Sequence, residues 1–353
     1  MQFQATLAAA ERLLGGSARR GTVLAAVNDL LGAQSSIREV RATAGSVDPL
    51  LCVDGAVISA QSDVVTWISV AATNSDRSFT RLYTAVTPVG SHVDAVKAAL
   101  MAAAELQAAV RTAGEVGEVW MDGSLATPLI ALATSLPAVP VEAAAEFAVS
   151  LDDLEVVDSV AAYVRLAEQG RLRALPKQDT ARAFVDQWAE QLDESAGRWL
   201  TMQRDRAVLG AVLQAGTCVM ARTAPEVAAV EVSPAKSARL QSVQEQLAAA
   251  MGPWRHTSPH VAYVMPKHLD RPIKYEWTMP ADSEEGAVAE VGVELAGRLD
   301  PLCRGPRMLE PLPQYVVDRH AKESVRYVHQ LLMDAVGQQL GARHPELARS
   351  YRS

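Results

Sequence analysis

Aromatic residues are scarce in this chain, at 5% of 353 residues, and cysteine is scarcer still, with three. Cys52, Cys218 and Cys303 are odd in number, far apart and without C-x-x-C spacing. That excludes a disulfide framework and implies free thiols in a reducing compartment. No uncharged stretch reaches about 18 apolar residues, so no membrane span is expected. Residues 1–5 carry no basic segment and lead into no long apolar run, so no secretory signal is expected. The expectation is a soluble cytoplasmic protein. Neither G-x-x-x-x-G-K-[ST] nor any Gly-Lys pair occurs, so nucleotide hydrolysis through a P-loop is excluded. There is no H-E-x-x-H, and Pro259 breaks any helical face that His256, His260 and His268 could share, which argues against zinc. No repeat of 20–50 residues is present.

What is there is a globular composition: 49% apolar and 21% charged. Abundant alanine favours helices over an all-β sandwich. The length allows one large or two ordinary domains. A net charge of −8 does not suit a protein that coats nucleic acid indiscriminately, although a local basic channel can coexist with an acidic exterior.

Patterning along the chain predicts the following elements. Residues 3–32 read as two short helices split at Gly15-Gly16. Residues 50–58, 64–72 and 79–86 read as strands rich in β-branched residues. Residues 91–112 recur apolar at helical spacing, 118–122 form a fourth strand, and a helical stretch follows Ser124. Further on, 172–177 is read as a fifth strand. Helices are expected over 180–199, 206–213, 234–251, 285–299 and 318–340, and a strand pair at 260–265 and 273–278. The segment 1–45 is expected to be a helical extension to one elaborated domain over 46–353.

Two phrases stand out: Val53-Asp54-Gly55 and Met121-Asp122-Gly123-Ser124. Each sets an Asp after an apolar, strand-like run and follows it with a Gly that lets the backbone turn. Two such carboxylates suggest convergence on shared metal ions and metal-assisted phosphodiester hydrolysis. The order β-β-β-α-β-α is that of a ribonuclease H-like core: an α/β fold with a mixed sheet, flanked by additional helices. That core carries carboxylates on its first strand, first helix and fourth strand, which correspond to Asp54, Glu105 and Asp122. Each has a plainer alternative: a hairpin-turn Asp for Asp54, a solvated helix residue for Glu105, and a helix N-cap for Asp122. Lys177, Arg182, Arg204, Arg206 and Arg319 are candidate phosphate contacts or ordinary surface cations. Trp67, Trp120 and Trp254 are candidates for base stacking or for core packing. Glu276 either faces the same cleft or forms a cross-strand salt bridge.

This ordered set resembles the NurA nuclease family, which acts in DNA end processing with a hexameric HerA-type translocase. The resemblance rests on Val53-Asp54-Gly55, Glu105, Asp122-Gly123-Ser124-Leu125, Arg204 to Gly216, and Pro313 through His320. It covers residues ~50 to ~330. Ala56 and Leu312 depart from the pattern, where the family has Ser and Tyr; Tyr315 is out of register. The resemblance implies a homodimeric deoxyribonuclease working from DNA ends with 5′ to 3′ preference. It implies a site of Asp54, Glu105, Asp122 and His320 holding Mn²⁺, with Mg²⁺ as the alternative. Lys177, Arg206 and Arg319 are the expected DNA contacts. A non-catalytic adaptor of a translocase and an RNA-processing nuclease are the rival readings.

Overall fold

The computed structural model describes residues 17–33, 37–40, 50–177, 182–223, 237–257, 259–305 and 310–339. The helix expected within 3–14, the boundary expected at 45/46, and the element ends expected at 180, 234 and 340 lie outside those residues. Helix α1 (Ser17–Ala33) is followed by β1 (Ile37–Glu39), a strand within the segment expected to be helical. The three predicted strands are β2 (Cys52–Gln61), β3 (Val65–Asn74) and β4 (Thr80–Pro88), paired as an antiparallel meander. Their β-branched content suits a pleated, half-buried surface. The first Asp-Gly does not end its strand, because β2 runs on from Asp54 to Gln61.

Helix α2 (Val93–Val116) crosses over to β5 (Val119–Met121), which lies parallel to β2. Ala99, Ala102, Ala103, Ala104, Ala108 and Ala109 are all buried on α2. Alanine favours the helix, and its single methyl lets the helix lie close against the sheet. Next come α3 (Thr127–Ser135), α4 (Ala144–Asp153), α5 (Val156–Glu168) and β6 (Leu172–Ala174), the last parallel to β5. Helices α4 and α5 were not read from the sequence. They meet at Glu155, which adopts a left-handed φ of 49°.

The second half contributes α6 (Ala183–Ala189), α7 (Glu194–Leu200), α8 (Asp205–Val212), β7 (Thr217–Thr223) and α9 (Ala238–Met251). It continues with β8 (His260–Met265), β9 (Ile273–Trp277), α10 (Glu285–Leu299) and α11 (Leu312–Gln339). The single helix expected over 180–199 is therefore two. Asp193 separates them by accepting the Ser195 and Ala196 N–H groups at 2.9 Å as the cap of α7. The last helix starts at Leu312, not 318, because Pro313 is tolerated in a first turn, where its missing N–H has no partner to lose.

The nine strands of the described residues form one sheet in the order β1-β7-β8-β9-β6-β5-β2-β3-β4. The run β4-β3-β2-β5-β6, with β5 and β6 parallel to β2, is the ribonuclease H-like core. The fold is α/β with a mixed sheet and flanking helices. Strand periodicity sends alternate residues to opposite faces. Val53 and Met121 pack with α2 in one buried cluster, whereas Cys52 and Trp120 pack with α10 and with Val317 of α11 in another. By the same alternation Asp54 faces α11 and Gly55 faces α2. A third cluster joins α1, α6, α7 and α8 to β7 and β8 around Phe184, Trp188 and Tyr263.

That third cluster depends on one buried carboxylate. Asp205, fully buried at the start of α8, accepts the Phe184 N–H at 3.3 Å and the Val185 N–H at 2.9 Å, capping α6 from another element. Asp205→Ala leaves those donors without that acceptor and is expected to cost about 1–3 kcal/mol. Chemical denaturation measures this, and an unchanged midpoint would contradict the capping role.

Candidate metal centre at the sheet rim

Asp54 is the third residue of β2, and Asp122 follows the last residue of β5. The parallel register Val53↔Met121 sets the two side by side, and the Asp122 N–H donates to the Val53 carbonyl at 2.9 Å. Gly123 then turns the chain with φ 135°, a conformation that side chains rarely adopt. Asp318 comes down from α11. Carboxylate oxygens of Asp54, Asp122 and Asp318 lie within 4.8 Å of one another.

Glu105 arrives from the other side of the sheet, on α2. A Cβ on Gly55 would lie 2.5 Å from Glu105 Oε1 and 2.7 Å from its Cγ, so only glycine leaves room for this carboxylate. The Gly55 N–H donates to Asp54 Oδ1 at 2.8 Å and also faces the Glu105 carboxylate. Glycine is thus needed here for close approach, not for a turn.

The supporting side chains come from the second half of the chain. Gln314 Nε2 donates to Asp122 Oδ1 at 2.8 Å and to the Leu175 carbonyl at 2.7 Å. Glu276 Oε2 accepts from Ser124 Oγ at 2.8 Å and from the Leu125 N–H at 3.0 Å, while its Oε1 pairs with Lys274 at 3.0 Å. Glu276 therefore ties β9 to the turn that carries Asp122. Lys177 Nζ lies 2.6 Å from Asp122 Oδ2, 3.4 Å from Asp318 Oδ1 and 3.5 Å from Glu310 Oε2. Arg206 holds the Lys177 segment by donating to the Lys177 and Pro176 carbonyls at 2.8 and 3.0 Å.

Five acids with Lys177 among them leave the site short of positive charge. Burial, then the neighbouring Asp122 and Glu105, push the Asp54 carboxyl up to about 9. Burial and Asp122 push Glu105 up to about 8. Burial raises Glu310 against the pull of Lys177. At Asp318, burial is outweighed by Lys322 and Lys177, and the carboxyl sits below its ordinary value. Carboxyls raised by burial and by neighbouring acids are what a cation would ionise. Three oxygen donors from three elements, with Glu105 adjoining, fit a hard divalent ion such as Mg²⁺ or Mn²⁺.

The structure thus brings Asp54, Asp122 and Glu105 together. His320 lies in the third turn of α11, beside the Asn74 carbonyl, with Arg77, Arg319 and Glu323 as its charged neighbours. Its place in the cluster is taken by Asp318, two residues earlier. Arg319 pairs with Glu323 at 3.5 Å along the helix. Trp120 and Trp254 are core residues, the latter stacked on Tyr163. Sequence reasoning missed Asp318, Glu310 and Gln314 as site residues. The stripe Gln314, Val317, Ala321 and Val325 marks the buried face of α11. At 3.6 residues per turn Asp318 borders that stripe on the Gln314 side and His320 on the opposite side.

No protein-family model matches the sequence, and no curated protein matches it. Solved structures do match. The NurA nuclease from Sulfolobus solfataricus aligns over 96% of this chain and 98% of its own, at 12% identity and TM-score 0.56. A second NurA structure aligns over 98% and 99%, at 12% identity and TM-score 0.52. This chain has the NurA fold. The likeness spans nearly the whole of each chain, so the added strands and C-terminal helix belong to the NurA architecture as much as the core does. Among the described residues no single helix is long and apolar enough to cross a membrane.

Gly55→Ala tests the approach of Glu105. The added methyl must displace a buried carboxylate while leaving the strand intact. Any metal-dependent activity is expected to fall by about 10²-fold, with the melting temperature nearly unchanged. Full activity would show that the position of Glu105 is immaterial.

The raised carboxyls also predict a pH dependence. Without metal, the folded state keeps protons on Asp54 and Glu105 that the unfolded chain releases in the ordinary carboxylate range. The stability contribution is therefore full at low pH and is lost as pH rises towards about 8 to 9. Melting in EDTA should drop across that window, Mg²⁺ or Mn²⁺ should reverse the drop, and Asp54→Asn should remove the Asp54 share of it while leaving that of Glu105. A flat profile in EDTA for the unmodified protein would count against the carboxylate crowding.

Proposed function

We propose that this chain is a divalent-metal-dependent nuclease that hydrolyses DNA phosphodiester bonds. The observation that supports it most directly is the acid cluster, placed on the first and fourth core strands of a NurA fold and closed by Asp318. Asp54, Asp122 and Asp318 would hold the ions, with Glu105 alongside. When bound, such ions supply an activated water and neutralise the leaving oxygen of an in-line displacement. Gln314 fixes the Asp122 carboxylate, and Glu276 fixes the turn beyond it, so neither has to reorganise when substrate arrives. Lys177, held inside the cluster, balances part of its charge and faces the phosphate position from the groove side.

In this reading His320 acts at the rim on the substrate strand and not as a ligand, because its neighbours are Arg77, Arg319 and the Asn74 carbonyl. An all-oxygen donor set removes the nitrogen that would favour Mn²⁺, so Mg²⁺ and Mn²⁺ are both competent. The finer assignments rest on the family resemblance: a homodimer, degradation from DNA ends with 5′ to 3′ preference, and docking on a hexameric HerA-type ATPase. The missing P-loop assigns strand movement to that partner.

The deciding experiment is cleavage of end-labelled single- and double-stranded DNA, with RNA as competitor, in Mn²⁺, Mg²⁺ or EDTA, with Asp54→Ala alongside. Metal-dependent degradation of DNA that falls to background in Asp54→Ala is expected. If the protein is silent alone, the assay is repeated with a HerA-type ATPase. Silence in both arms would leave the adaptor reading, and preferential loss of RNA would leave the RNA-processing one.

A further inference from the structure

We infer that a groove leading away from the acid centre is a second phosphate site, which holds the substrate backbone beyond the scissile bond. This rests on the nuclease reading of the acid centre. The groove is made of two adjoining cavities. The first, about 310 Å³, is lined by Lys177, Glu310 and Gln314 and so begins at the acid cluster itself. The second, about 580 Å³, is lined by Arg20, Arg204, Arg206 and Arg271. Arg206, Arg271 and Pro272 are common to both, which makes them one continuous wall.

The charge along this wall changes sign as a phosphodiester strand requires. Carboxylates suited to cations lie where a phosphate would be cut, and fixed guanidinium groups lie where the next phosphates would rest. In a chain with net charge −8, four arginines around one cavity run against the average. Among the described residues, Asp270 is the one acid lining the arginine cavity and Glu310 the one acid lining the smaller one. Arg206 is fixed by the Pro176 and Lys177 carbonyls, so the arginine cavity is mechanically joined to the lysine in the acid cluster. Burial, and then the charge of Arg206, make the Arg271 guanidinium easier to deprotonate than usual. An anion bound between the two would relieve that repulsion.

The chemistry of the walls also sets what is recognised. Ala207, Gly210 and Ala211 give α8 a low surface over which a ligand backbone can pass closely. Among the described residues neither cavity has an aromatic lining residue, so this lining offers no platform for stacking bases. Recognition is of phosphate, without base preference.

The test compares Arg204→Ala/Arg271→Ala with the unmodified protein on a dinucleotide and on oligodeoxynucleotides of increasing length. KM for the unmodified protein should fall with length. In the double variant that advantage should be lost, with KM for the longer strands raised about 10-fold or more and the salt dependence of binding made shallower. Arg204→Lys/Arg271→Lys should recover part of the loss, which a purely structural defect would not. Equal KM for long strands in both proteins would overturn the proposal while leaving the nuclease reading intact. If no substrate is cut in any metal, alone or with a HerA-type ATPase, the nuclease reading fails. Oligonucleotide anisotropy in EDTA then still decides the groove: weaker binding by the double variant supports it, and unchanged binding overturns it.

Discussion

Burial of mutually repelling carboxylates at one rim of the sheet is the constraint on which the rest of this structure turns. Burial first, and then the neighbouring Asp122, push Asp54 and Glu105 far above the ordinary carboxylate range, and Asp318 and Glu310 crowd the same site. Lys177 offsets part of the charge by standing among Asp122, Asp318 and Glu310. A cluster of this kind survives only because the surrounding fold is more stable than the repulsion is costly. A rigid nine-stranded sheet with packing on both faces meets that condition.

The sheet does more than carry the acids; it lets them approach from opposite sides. Asp54 and Asp122 project towards α11, where Asp318 waits, while Glu105 reaches up from the alanine-rich face of α2. Gly55 is the opening between them, since any side chain there would occupy the Glu105 carboxylate's place. Small residues thus serve one purpose at two scales. Alanines bring a helix close to the sheet, and one glycine brings a carboxylate close to a strand.

Support for the site is spread along the chain. Gln314 steadies Asp122 from α11, Glu276 steadies the following turn from β9, and Arg206 steadies the Lys177 segment from α8. The same Arg206 begins the basic groove. The acid centre, its internal cation and the guanidinium wall are therefore one connected construction, with Lys177 among the acids and the arginines beside them.

The sequence by itself determined a good part of this. Strand alternation, helical spacing and short connections made the order of the core legible. Asp-Gly after an apolar run, twice, marked Asp54 and Asp122. Local periodicity suffices for these because each signal lies within a few neighbouring residues. Helices α4 and α5 and strands β1 and β7 were not legible, since short apolar segments read alike as helix, strand or loop. The site's fourth carboxylate was decided by tertiary structure alone. Asp318 and His320 stand about 200° apart around α11, and which of them turns inward depends on where Pro313 starts the helix and which stripe packs on the sheet. Glu310, Gln314 and Lys177 are distant from Asp122 in sequence. Only the folding of the second half against the core brings Gln314 within hydrogen-bonding distance and Lys177 within ion-pairing distance of Asp122, with Glu310 paired to that lysine.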